Sequence, residues 1–129
     1  MTKKNSKSLL EAVETLIGAN AVFEGNLKTD GTIRIDGKFI GNVEQAAGVL
    51  IGAEAVIEGN INAEIVMLGG TVKGNITATD GIEILPKAKM VGDIKTNILT
   101  IAEGAFFEGK SLMITSEHEK NDKNGEAKK

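Results

Sequence analysis

The chain has 129 residues, a net charge of -3, one histidine, four phenylalanines and no cysteine, tyrosine or tryptophan. That composition excludes disulfide and thiolate chemistry. It also argues against nucleic acid as a partner, because phosphate binding needs clustered Lys and Arg and single strands need aromatic platforms.

Residues 1–14 differ in pattern from the rest of the chain. Lys3, Lys4 and Lys7 precede Leu9, Leu10, Val13 and Leu16, whose spacing is helical, and Ser8 with Glu11 fits a capping box. A flexible tail with room for a short helical lid is expected here. The same residues, Lys3, Lys4, Lys7, Leu9 and Leu10, are candidates for weak contact with an anionic membrane surface. No apolar run approaches the roughly 20 residues of a membrane span, and no signal-peptide pattern is present. A soluble, cytoplasmic protein is expected.

From residue 15 to about 115 the chain repeats. Gly25-Asn26-Leu27 returns as Gly41-Asn42-Val43, Gly59-Asn60-Ile61, Gly74-Asn75-Ile76, Gly92-Asp93-Ile94 and Gly109-Lys110-Ser111, at intervals of 16, 18, 15, 18 and 17 residues. Aligned on that glycine, the copies form columns. Small residues (Ala21, Gly37, Ala55, Gly70, Ala88, Ala105) lie four positions before it, and bulky ones (Phe23, Phe39, Ile57, Val72, Met90, Phe107) two before. Apolar residues return two positions after it, from Leu27 to Ile94. A further pair of apolar columns precedes these, ending on Ile17, Ile35, Ile51, Leu68, Ile84 and Ile101. Alternation with period two buries one face of a strand and wets the other. The distance from the last column to the glycine is eight residues in four copies and six in the second and fourth, so the two missing residues belong to a corner. Asp30-Gly31 and Asp80-Gly81 predict tight turns.

A repeat this short is one coil of a solenoid. The expected fold is all-β: a single-domain parallel β-helix (β-solenoid) of about six coils, with three short strands per coil; parallel crossovers are overwhelmingly right-handed, although hexapeptide-repeat coils break that rule. Strands about 4.8 Å apart make it a rod of roughly 29 Å. The remaining tail, residues 116–129, is nearly free of apolar residues and is expected to be disordered.

Candidate chemistry is sparse. The segments around Leu16 and Leu50 resemble the hexapeptide repeats of acyltransferases and of one carbonic anhydrase class, which depend on histidine as base or zinc ligand. The one histidine, His118, is in the polar tail. Glu24, Glu58 and Glu108 share an outward column with Ile40, Lys73 and Val91 between them, so no two acids stack, and Glu58 is expected to face Lys73. The Asn26, Asn42, Asn60, Asn75 and Asp93 column reads as a hydrogen-bonded ladder. No catalytic residue, cofactor or metal site is expected, and the chain is not read as an enzyme.

The ends of the stack remain as functional surfaces. A coil stack leaves an unpaired strand edge at each terminus, and a solenoid that stays single must cap both. Leu16 and Ile17 in the first coil and Phe106, Phe107 and Leu112 in the last are the candidate polymer interface. Outward Val22, Leu50, Val56 and Met67 are candidates for a lateral patch.

The repeated coils, of the form [I/L]-G-x-x-A-x-[I/V/F]-x-G-[N/D]-[I/L] and flanked by short polar tails, resemble a bactofilin. The resemblance covers residues 15 to about 115. It implies a right-handed parallel β-helix that polymerises end to end into bacterial cytoskeletal filaments without nucleotide, and roles in cell shape or recruitment of cell-wall enzymes and membrane proteins, commonly beneath the inner membrane. Some relatives bind membrane through an apolar N-terminal peptide; the start here, Met1-Thr2-Lys3-Lys4, lacks an aromatic residue beside Met1. The alternatives are a non-polymerising solenoid scaffold and, more distantly, a hexapeptide-type transferase.

Overall fold

A computed structural model describes residues 13–114. Alternating apolar residues form fourteen strands: β1 (Val13–Ile17), β2 (Val22–Lys28), β3 (Thr32–Ile35), β4 (Lys38–Gln45), β5 (Gly48–Ile51), β6 (Val56–Glu58), β7 (Ile61–Leu68), β8 (Thr71–Lys73), β9 (Ile76–Ile84), β10 (Lys89–Val91), β11 (Ile94–Thr96), β12 (Leu99–Ile101), β13 (Phe106–Glu108) and β14 (Ser111–Met113). Every pairing is parallel. The result is a parallel β-solenoid of about six turns, as the repeat requires.

Each turn has three faces. The first stacks β1, β3, β5, the end of β7, the end of β9, and β12. The second stacks the start of β2, the start of β4, β6, β8, β10 and β13. The third continues from β2 and β4 through the starts of β7 and β9 to β11 and β14. The predicted columns are register partners: Phe23 beside Phe39, Gly25 beside Gly41, Asn26 beside Asn42 and Leu27 beside Val43.

The core is the set of inward columns. Ile33, Ile35, Phe39, Val43, Ile57, Ile61, Leu68, Val72, Ile76, Ile84 and Met90 are fully buried, each contributing roughly 1.5–3 kcal/mol if large and aliphatic. Thr96 takes an inward place beside Ala78 and stays satisfied by donating to the Ile98 carbonyl at 3.4 Å. Phe23 and Phe39 stack in parallel, ring centroids 4.9 Å apart.

The glycine column turns the second face into the third. Gly41, Gly59, Gly74 and Gly92 hold φ between 137° and 150°, where a Cβ is disfavoured. A Cβ on each would also run into the carbonyl of the glycine one turn below. Glycine is needed there twice over.

Two expectations about local structure need correction. Asp80-Gly81 is not a tight turn but lies inside β9, and the third corner is shallow enough for β7 and β9 to run through it, with a register irregularity between Ala63 and Ile65. Among the described residues β1 already includes Val13, so Val13 and Leu16, whose spacing suggested a helix, belong to a strand. The inward placing of their alternate neighbours decides this: Thr15 pairs with Ile33 and Ile17 with Ile35. The rest of the lid, Ser8 to Glu11, and the tail from residue 116 with His118 lie outside the described residues.

Candidate assembly interface

The strands at the two ends of the stack are hydrogen-bonded on one side. At the first turn β1 pairs with β3 and β2 with β4; at the last, β12 pairs with β9, β13 with β10 and β14 with β11. Each therefore has an edge of backbone N–H and C=O groups without a strand partner among the described residues. Such an edge is a template for another chain.

The same columns that are sealed inside the rod open at its ends. Phe39 and Met90 are fully buried, whereas their column-mates Phe23 and Phe107 are half-buried. Ile84 is fully buried, while Ile101, one turn on, is 41% exposed. Of the five candidate interface residues, Leu16 is outward and exposed, and Phe106 is outward with the Lys89 ammonium 5.7 Å from its ring centre. Phe107 closes the bulky column, and Leu112 is half-buried beside Lys95. Ile17 is the exception: it is buried within the first turn, and its carbonyl is already used inside the stack, accepting from Asp36 N–H of the second turn at 2.8 Å. Sequence reasoning missed Phe23, Leu27, Leu99, Ile98, Ile101 and Met113 as end-face residues. Their signal was available, since each is the first or last member of its row.

The asparagine column is the expected ladder, and it has a direction. Asn42 N–H donates to Asn26 Oδ1 (3.3 Å), Asn60 to Asn42 (3.0 Å), Asn75 to Asn60 (3.0 Å), Asp93 to Asn75 (3.0 Å) and Lys110 to Asp93 (3.1 Å). A short side-chain acceptor is needed at every turn but the last, where Lys110 ends the series. The column holds the Gly–Asn corners in register.

Electrostatics on the sides are mild. Glu58 is the register partner of Lys73, Glu24 of Ile40 and Glu108 of Val91, so no two of these acids are stacked. Arg34 Nε donates to Asp36 at 2.9 Å; that hydrogen bond pushes the guanidinium pKa up against a small lowering by burial. Among the described residues no group of three His, Cys, Asp or Glu could hold a metal, and no helix is long and apolar enough to cross a membrane. The candidate lateral patch is only partly present. Val22 is 62% exposed and Val56 and Met67 partly so, but Leu50 is buried at 5%, because alternation sets the direction of a side chain and not what its neighbours in adjacent turns cover.

Comparison with known proteins is consistent across sequence and structure. Residues 15–112 match the family model for bactofilin, described as polymer-forming cytoskeletal. Bactofilin BacO of Myxococcus xanthus is 34% identical over 103 residues, 80% of this chain and 82% of that protein. Bactofilin BacP of the same organism is 27% identical over 109 residues, 84% of this chain but only 45% of that longer protein. The fold matches a cryo-EM reconstruction of Thermus thermophilus bactofilin double helical filaments, with a TM-score of 0.73 and 27% identity over 78% of this chain and all of that one.

Proposed function

Because this chain belongs to the bactofilin family of polymer-forming cytoskeletal proteins, we propose that it assembles end to end, first and last turns forming the joints, into filaments that pair sideways and need no nucleotide. The observation that carries this reading is the pair of ends, neither of them capped by another described strand. Core columns closed everywhere else finish there on half-buried Phe23 and Leu27 at one tip, and on Leu99, Phe107 and 41%-exposed Ile101 at the other. Joining tips completes the backbone pairing of the edge strands and removes apolar surface from water, at about 25 cal/mol per Å². That free energy is available in any buffer, so hydrolysis has no step to drive.

In this reading the filament is a structural scaffold in the bacterial cytoplasm, on the inner face of the cell membrane, to which cell-wall enzymes or membrane proteins attach. Lys3, Lys4, Lys7, Leu9 and Leu10 would add a weak membrane contact, measurable by co-flotation with anionic vesicles. The test of assembly is sedimentation and negative-stain microscopy of purified protein without nucleotide, wild type beside Phe107→Arg. Wild type should pellet as filaments and Phe107→Arg should stay in the supernatant. A wild-type protein that remains monomeric at high concentration would refute the proposal.

A further inference from the structure

The outer side of the first face carries opposite charges at the two ends of an apolar middle. Its outward column runs Arg34, Leu50, Met67 and Glu83 through turns two to five, each the register partner of the next. Turns lie about 4.8 Å apart, so the midpoint of Leu50 and Met67 is about 7.2 Å from Arg34 on one side and from Glu83 on the other. Between the charges is a groove of about 450 Å³, with Leu50 and Met67 on its floor and Ala53, Leu85 and Pro86 along the corner where turn four lacks two residues. Leu50 is 5% exposed although Gly48 and Gly52, two residues to either side of it, bring no side chain across it. Both charges have capacity to spare. Arg34 uses its Nε on Asp36 at 2.9 Å, and a guanidinium has further N–H donors beyond that one. Glu83 is exposed, and no described lysine or arginine is paired with it.

The segment that leads into this face has the complementary order. Residues 1–12, outside the described ones, join the solenoid at Val13, which is in the same face one turn before Arg34. Glu11, Leu9 and Lys7 are alternate residues: an acid, an apolar residue and a base. In an extended chain they share one side and are spaced about 6.7 Å apart. Against them the face offers a base, an apolar groove and an acid at about 7.2 Å. A helix, at 1.5 Å per residue, would put Glu11 and Lys7 only about 6 Å apart along its axis and could not span both charges. Reach is sufficient, because Arg34 lies one turn and two residues from Val13, about 8 Å, and two extended residues carry the chain about 7 Å before the side chains are counted. A tethered segment also meets the groove at an effective concentration near millimolar, ahead of a second molecule in dilute solution.

We infer that residues 7–11 lie extended along the first face across turns two to five, with Glu11 on Arg34, Leu9 in the groove over Leu50 and Met67, and Lys7 on Glu83. This docking stands apart from the filament reading. It bears on the membrane contact proposed above, because Lys7 and Leu9 cannot be seated here and in lipid at once; that consequence alone rests on the membrane reading.

The chain has no cysteine, so introduced pairs report without background. Asn62 and Met67 lie in β7 on either side of Ile65, which continues the column of Val13, and are therefore similarly far from the tether. In mildly oxidising solution, dilute enough to stay unassembled, L9C/M67C should close an intrachain disulfide at least about tenfold faster than L9C/N62C, cysteine being itself a small apolar side chain. L9C/A53C, with its second cysteine on the exposed rim, should do the same and leaves the groove floor intact. In the L9C/A53C chain, Lys7→Glu should slow closure roughly two- to five-fold, the range of an exposed ion pair, and adding Glu83→Lys should restore it. Equal rates for N62C and the groove cysteines overturn the inference, as does a Lys7→Glu effect that Glu83→Lys leaves in place. Disulfides that form only between chains also overturn it and give the groove to a second copy.

Discussion

Three glycine-to-alanine changes separate the two demands that the Gly–Asn corner makes. At Gly18, φ is not in the left-handed region and a Cβ meets nothing within 4 Å. At Gly25, φ is 140°, but no described turn lies beneath the first one and the nearest atom is a Phe23 ring carbon at 3.8 Å. At Gly59, φ is 146° and a Cβ would overlap the Gly41 carbonyl oxygen and lie 2.6 Å from its carbon. Gly18→Ala should therefore change stability by less than about 0.5 kcal/mol, as exposed substitutions do. Gly25→Ala should cost about 1–3 kcal/mol, the usual range for a non-glycine residue forced into a sparse backbone region. Gly59→Ala adds to that the separation of the second and third turns, which sacrifices the bond from Asn60 N–H to Asn42 Oδ1 (3.0 Å) and that from Val43 N–H to the Asn60 carbonyl (2.9 Å). At about 1 kcal/mol each, the total becomes roughly 3–5 kcal/mol. Guanidinium unfolding followed by circular dichroism measures the series, with all proteins at one concentration because assembly stabilises by mass action. If Gly59→Ala loses no more than Gly25→Ala, stacking of the glycines is not what selects them.

Other consequences can be checked with the same preparations. Phe39→Ala should destabilise by about 3–5 kcal/mol as a fully buried aromatic, and Phe23→Ala by clearly less, since its half-buried ring lacks a turn on one side; melting of both variants compares them. Asn60→Ala removes the acceptor for the Asn75 N–H in an exposed column, so a loss near 0.5–1.5 kcal/mol is expected, with Asn60→Asp restoring most of it. The first turn carries Glu14, Glu24 and Asp30 against Lys28, and the last Glu103 and Glu108 against Lys110. Tips of like charge repel, and salt screens them over about 10 Å at 0.1 M, so the pelleted fraction should rise between low and moderate salt.

The sides of the rod were legible in the sequence because every buried position is written several times. A single Gly-Asn pair says little, but a column of them implies stacking, and both the glycine clash and the asparagine ladder follow from it. Positions where neighbours rather than periodicity decide were harder. Leu50 is outward by alternation, yet it sits at the floor of a groove shared with Met67, Leu85 and Pro86, and nothing in the repeat pattern encodes that. Asp80-Gly81 carries a turn signal that the shallow third corner overrides by letting β9 continue. The end-face residues were hidden for the opposite reason. Phe23 and Ile101 belong to core columns, and only their rank in the stack exposes them.

Rank in the stack also links the fold to polymer formation. In a globule, the residues that bury and the residues that bind differ in kind, so an interface needs a surface of its own. Here Phe107 at a tip and Met90 one turn inside belong to one column and are register partners. A second copy that continues the column turns a tip residue into an interior one, with no new type of contact. The discrimination then lies in what does not repeat: Lys110 where an acceptor would continue the ladder, Ser111 where Ile94 and Ile76 are apolar, and the short corners at turns two and four. Such departures from the repeat cannot be serving the common core, which the regular turns build without them. They are the positions at which one joint or seam can be favoured over a slipped one, since a perfectly regular rod would gain equally from any register.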